Sequence, residues 1–158
     1  MTFILGIDPG LTHTGWGVIK VENNKLIYVA CGTISSSAKT NIEQRLGDIY
    51  TGINSAIKLY NPHECAIERT FVNNNPLSSL KLGHARGAAM LTVALASIPV
   101  TEYSPTEVKK AVTGVGGADK NQIDVMIKYL LPTAKIKSKD EADALAIAVC
   151  HSSYRRGK

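Results

Sequence analysis

Two short apolar runs stop at an acid: Phe3-Ile4-Leu5-Gly6-Ile7 ends at Asp8, and Cys65-Ala66-Ile67 ends at Glu68. Runs of this length, closed by turn residues such as Pro9-Gly10, predict strands buried on both faces, as in parallel sheets covered by helices. A third run, Pro99-Val100-Thr101-Glu102-Tyr103, predicts another. Trp16-Gly17-Val18-Ile19 and Leu26-Ile27-Tyr28-Val29, parted by Glu22-Asn23-Asn24, predict a hairpin. Segment 41–60 sets Ile42, Leu46, Ile49, Ile53 and Ile57 at helical spacing, and helical patterns follow near 77–97, 105–113, 120–131 and 139–154.

This order is α/β. It predicts a mixed five-stranded sheet flanked by helices, with three parallel strands and the hairpin as an antiparallel flank. Nothing divides residues 1–158 into more than one domain, and no internal repeat is present. In sheets of this kind, sites lie at the carboxyl ends of the parallel strands. Asp8 and Glu68 stand at those ends.

The chain has 44% apolar and 20% charged residues, which argues against disorder. Its formal charge is +5, unevenly spread: residues 1–67 hold five basic and five acidic residues, and residues 68–158 hold thirteen and eight. A basic half suggests a polyanionic partner, with nucleic acid ahead of a membrane surface. Cys31, Cys65 and Cys150 are far apart and odd in number, which fits a reducing cytoplasm better than a disulfide framework or a zinc site. The N-terminus lacks the basic region of a secretory signal, and the nearly apolar stretch from Ala88 to Val100 is too short to span a bilayer. A cytoplasmic protein with no membrane partner is expected.

In this basic chain, Lys139-Asp140-Glu141-Ala142-Asp143 gathers three acids at the start of an apolar helix. Ser138-x-x-Glu141 matches a capping box, which gives Glu141 a structural task. Asp140 and Asp143 are three apart, share a face and point with the apolar residues towards the sheet, a face continued by Ile147 and either Cys150 or His151. With Asp8 and Glu68 they make four carboxylates at one sheet edge, which would repel strongly without cations. Oxygen-only ligands favour Mg²⁺ or Mn²⁺ over zinc. Two such ions about 4 Å apart suit phosphodiester hydrolysis.

Lys109, Lys110 and Lys120 flank Gly114-Val115-Gly116-Gly117, and Asp119-Lys120-Asn121-Gln122 predicts a capped helix start. Lysines on a glycine loop at a helix N-terminus suit phosphate binding or form a solvated surface. The loop is no Walker A motif, because Asp119 precedes Lys120. Phe71, in a polar loop three residues after Glu68, either stacks on an unpaired base or packs into the core. The four histidines show no zinc spacing; only His151, on the acid-bearing helix face, is a candidate neighbour of the metals. The 77–97 helix is apolar nearly all round in its second half, as expected of a fully buried helix or of a partner surface.

Five stretches in order, LGIDPGLTHTGWGV at 5–18, AIERTF at 66–71, SLKLGHARG at 79–87, VKKAVTGVGGADKNQ at 108–122 and DEADALAIA at 140–148, resemble the RuvC-type Holliday-junction resolvases over essentially the whole chain. The resemblance implies a ribonuclease-H-like fold and a homodimeric, Mg²⁺-dependent endonuclease of DNA recombination and repair. Such enzymes make symmetric nicks in two strands of like polarity at a four-way DNA junction, and a branch-migration helicase complex is an implied partner. The family's catalytic and metal-binding acids fall on Asp8, Glu68, Asp140 and Asp143, and its DNA-binding residues on Phe71, Lys109 and Lys120. Arg69 and His84 stand where glutamine is common in relatives. Another ribonuclease-H-like nuclease acting on structured RNA would share the acids without needing a symmetric dimer. A non-catalytic nucleic-acid binder is disfavoured because the acids would weaken binding, and the chain is too short for the two domains of an actin-like ATPase.

Overall fold

The computed structural model describes residues 1–70, 72 and 74–155. Five strands, β1 (Thr2–Asp8), β2 (His13–Glu22), β3 (Lys25–Ser35), β4 (Glu64–Glu68) and β5 (Val100–Tyr103), form one sheet in the order β3-β2-β1-β4-β5. β1, β4 and β5 run parallel, and β2 and β3 pair antiparallel beside them. The predicted sheet is therefore present with its predicted polarity. Asn23 and Asn24 both take positive φ, at 48° and 63°, the conformation a two-residue hairpin turn demands.

Helices α1 (Ile42–Tyr60) and α2 (Pro76–Leu95) cover one face, and α3 (Pro105–Thr113), α4 (Lys120–Leu130) and α5 (Lys139–Arg155) cover the other. Each start has a local cause. Asn41 caps α1 by accepting from the Gln44 N–H at 3.1 Å, and Asn75 caps α2 with Pro76 in the first turn. Ser104 with Glu107, and Asp119 with Gln122, form full capping boxes on α3 and α4. The left-handed Asn61 ends α1, just before Pro62.

Alternation along the strands divides the core. Leu5, Ile7, Cys65 and Ile67 meet Ile49 and Ile53 of α1 and Ala85 and Ala89 of α2. Ile4 and Ala66 face Leu145 and Ile147 of α5. Asp8 and Glu68 follow the parity of Ile4 and Ala66, so both point to the α5 side.

α5 lies unusually close to the sheet. A Cβ added at Gly6 would sit 2.1 Å from the Ala144 carbonyl oxygen, and one at Gly15 would sit 2.0 Å from that of Asp140. Two glycines of the sheet thus form a floor for an alanine-rich helix, and any side chain there would lift it away. α2 departs from full burial. Leu77, Leu80, Leu91 and Leu95 are each more than half exposed, while Ala85, Ala89, Thr92 and Val93 face inward.

Candidate active site

Parallel pairing of Ile7 with Ile67 places Asp8 beside Glu68 at the carboxyl ends of β1 and β4. Across β1, Asp8 pairs with Gly15, the glycine on which the Asp140 backbone rests. The glycine floor therefore sets the first turn of α5, with Asp140 and Asp143, directly over the strand-end acids. Asp140 and Asp143 remain partly exposed, as side chains lining a cleft should. The four predicted acids converge on one edge.

Their electrostatics report the crowding. The Asp8 carboxyl is pushed from 3.8 up to about 7, first by burial and then by the charges of Asp143, Glu68 and Asp140. Glu68 is also raised, by burial and then by Asp143, against the pull of Lys109 and Lys120. Burial raises Asp143, and Lys120, with its Nζ 3.9 Å from Asp143 Oδ2, opposes this. Among the described residues, no three Asp, Glu, His or Cys side chains close around one point as ion ligands. The four acids feel one another's charge without gathering at ligand distance. An all-carboxylate donor set with this uncompensated charge fits a hard divalent cation.

Two clefts meet at Glu68. One, of about 210 Å³, runs past Asp8, Arg69 and Thr70; the other, of about 430 Å³, is lined by Lys109, Lys120, Asp119 and Asp143. Lys120 is the first residue of α4, so the lysine and the cap residue Asp119 line the same cleft. Phe71 lies outside the described residues.

Two readings need correction. Glu141 does not complete the predicted capping box by bonding the Ser138 amide. Ser138 Oγ accepts from the Glu141 N–H at 3.1 Å, but the Glu141 carboxylate accepts from the Lys137 N–H at 2.6 Å and meets Cys31 Sγ at 3.6 Å. A 2.8 Å hydroxyl bond ties Ser138 to Thr33 of β3, and the Glu141 carboxylate reaches one residue further back than a capping box requires, to the Lys137 N–H. Glu141 is 6% exposed and turned away from the four acids. His151 is not near them either. Its Nδ1 bonds the Tyr103 hydroxyl at 2.8 Å and its Nε2 bonds Glu64 at 2.6 Å, at the opposite end of β4. Eight residues separate it from Asp143, about 12 Å along the helix axis, so a shared face does not bring them together. The cavity there, of about 370 Å³, holds side chains already paired with one another.

Sequence reasoning missed the glycine floor, although Gly6 and Gly15, both in the stretch LGIDPGLTHTGWGV, are its signal. It also missed two partly or fully buried arginines, Arg45 and Arg86, which touch the segments carrying Asp8 and Glu68.

The family model of the crossover junction endodeoxyribonuclease RuvC matches residues 4–151. The crossover junction endodeoxyribonuclease RuvC of Rhodospirillum rubrum is 53% identical over 154 residues, covering 98% of this chain and 91% of its own. That of Afipia carboxidovorans is 54% identical, covering 97% and 90%. The structure of Thermus thermophilus RuvC in complex with a Holliday-junction substrate superposes with a TM-score of 0.93 at 31% identity, covering 99% of this chain and 96% of that one. The shared fold is the ribonuclease-H-like arrangement expected from the sequence. The chain belongs to the RuvC family of crossover junction endodeoxyribonucleases.

Proposed function

We propose that this protein resolves Holliday junctions by hydrolysing one phosphodiester in each of two DNA strands of like polarity, with Asp8, Glu68, Asp140 and Asp143 as metal-binding catalytic acids. The observation that carries the assignment of the acids is their placement: Asp8 and Glu68 end neighbouring parallel strands, and the Asp140 backbone rests on Gly15 beside Asp8, so that burial and the three neighbouring charges raise the Asp8 carboxyl. The nuclease that bears this family name in Thermus thermophilus is seen with a Holliday-junction substrate, which supports the choice of DNA structure.

The proposed ions are Mg²⁺, with Mn²⁺ as a substitute, two per site. When bound, they supply Lewis acidity to the scissile phosphate and acidify a water. The chain's own residues do the rest. Asp8 and Glu68 present carboxylates from rigid strand ends, and Asp140 and Asp143 present theirs from a helix that the glycine floor fixes in height. Lys120 and the α4 N-terminus receive a phosphate of the cut strand, and Lys109 faces Glu68 from α3. Water adds to phosphorus, and the ester oxygen leaves with a proton. Phe71 is proposed to stack on a base near the cut.

One active site cuts one strand, so paired nicks call for two. The exposed leucines of α2 support a homodimer through that helix. The resemblance extends the proposal to a branch-migration helicase complex that delivers the junction. All of this resides in one domain. No helix among the described residues is long and apolar enough to cross a membrane.

The test is to incubate the protein with Mg²⁺ and an end-labelled four-way DNA junction, with linear duplex and structured RNA as controls. Paired nicks in the junction, absent in chelator, are expected. Cutting that survives chelator, or that prefers the RNA, would overturn the proposal.

A further inference from the structure

The α5 layer supplies Asp140 and Asp143, and the opposite layer supplies two arginines that serve the other two acids. Arg45 of α1 is 8% exposed, and among the described residues no carboxylate pairs with it. Its guanidinium is spent on hydroxyls: Nε donates to Ser36 Oγ at 3.0 Å and Nη2 to Thr12 Oγ1 at 3.1 Å. Ser36 donates its hydroxyl to the Leu11 carbonyl at 2.5 Å and its N–H to the Thr12 carbonyl at 2.9 Å. Thr14, fully buried, donates to the Gly10 carbonyl at 2.7 Å. Ser36 relays the Arg45 Nε bond, and each of the others lands on the turn that leaves Asp8.

Arg86 of α2 does the matching work for Glu68. Its Nε donates to the Glu68 backbone carbonyl at 3.4 Å, and its Nη2 is ion-paired with Glu102 of β5. Neither arginine contacts an acid of the quartet through its carboxylate. Arg86 bonds the Glu68 backbone directly, and Arg45 reaches the turn after Asp8 through the Thr12 and Ser36 hydroxyls, both from the face opposite to α5. A buried guanidinium is costly without a carboxylate, and packing alone would be served better by an apolar side chain. What an arginine offers is a rigid fork that reaches two acceptors at once, which lysine lacks.

We infer that Arg45 and Arg86 are a matched pair of positioning residues that hold the Asp8 turn and the Glu68 strand end in register for divalent-ion binding. The inference rests on the proposed metal site. Outer contacts of this kind set ligand orientation, and their loss weakens metal affinity by about 10- to 100-fold.

The experiment measures Mn²⁺ binding from the paramagnetic signal of the free ion for Arg45→Lys, Arg86→Lys, Thr12→Val and Glu102→Gln. Thermal midpoints and junction affinity in chelator are recorded alongside. Thr12 is exposed and Glu102 partly so, which guards against simple failure to fold. We expect all four variants to bind Mn²⁺ about tenfold more weakly, with junction affinity in chelator unchanged. Wild-type Mn²⁺ affinity in the two lysine variants would show that charge alone suffices and overturn the positioning role. Losses that merely track the fraction of folded protein would overturn it too. Asp8→Asn is the control: if it loses Mn²⁺ binding while the four variants keep it, this inference fails alone, and if it keeps Mn²⁺ binding, the metal site fails.

Discussion

Glu64 and Glu68 stand at opposite ends of the five-residue strand β4 and point to the same helical layer. Glu64 is saturated: His151 bonds it at 2.6 Å and Arg155 at 2.9 Å, with Tyr103 extending the chain of bonds through His151. Glu68 has no ion pair among the described residues, and its carboxyl is raised by burial and by Asp143. One strand thus carries a carboxylate built into the fold at its start and one left unsatisfied at its end. Stability is spread over the first end, and a charge deficit is concentrated at the second. A half-buried acid without an ion pair is tolerated where a ligand completes it.

The largest effect expected from this contrast is at the unsatisfied end. Asp8→Asn removes a charge that the fold disfavours and a proposed metal ligand. Junction cleavage in Mg²⁺ should fall by roughly 1,000-fold or more, the scale at which key electrostatic groups act, while the thermal midpoint in chelator holds or rises. Wild-type cleavage rates would break the comparison. At the saturated end the sign reverses. Glu64→Ala leaves His151 Nε2 without its acceptor and should cost about 1–3 kcal/mol of stability, read by denaturant titration, with cleavage per folded molecule retained.

The legible and illegible parts of this contrast have physical reasons. Asp8 and Glu68 were readable because each ends a buried strand, and Asp140 and Asp143 because an i, i+3 pair on an apolar face must point inward. The hairpin followed from Asn23-Asn24. His151 was misplaced because helical periodicity gives direction around the axis and says nothing of distance along it. The bond from Glu141 to Lys137 goes with the tie between Ser138 and Thr33 of β3, a contact distant in sequence that no local pattern encodes. Arg45 and Arg86 look like solvated charges in a basic chain; only the fold reveals that they are packed against strand ends.

A smaller effect sharpens the comparison through pH. The Asp8 carboxyl loses its proton near 3.8 when unfolded and near 7 when folded. Between those values the folded state holds more protons than the unfolded one, so this group's contribution makes stability fall as pH rises. The contribution is fully present below about 4 and is lost as pH passes through about 7. Without divalent ions, the thermal midpoint should therefore be lower at pH 8 than at pH 5.5, and Asp8→Asn should flatten the difference. Added Mg²⁺ should do the same. An unchanged slope in Asp8→Asn would show that the deficit lies elsewhere.

The smallest effect belongs to Glu141, which neighbours the proposed catalytic acids in sequence but faces away. Glu141→Gln keeps an oxygen to accept from the Lys137 N–H, so it should cost well under about 1 kcal/mol and leave cleavage nearly intact. If it cut no better than Asp143→Asn, the i, i+3 reading of α5 would fail.

The most direct measurement compares the two glutamates of β4 under one condition: the rate of four-way-junction cleavage in Mg²⁺, per folded molecule, for Glu64→Gln and Glu68→Gln. Glu64→Gln should cut within about twofold of wild type, because its partners are structural, and Glu68→Gln should be reduced by roughly 1,000-fold. Equal rates in the two variants, or the reverse order, would contradict the assignment of the catalytic edge.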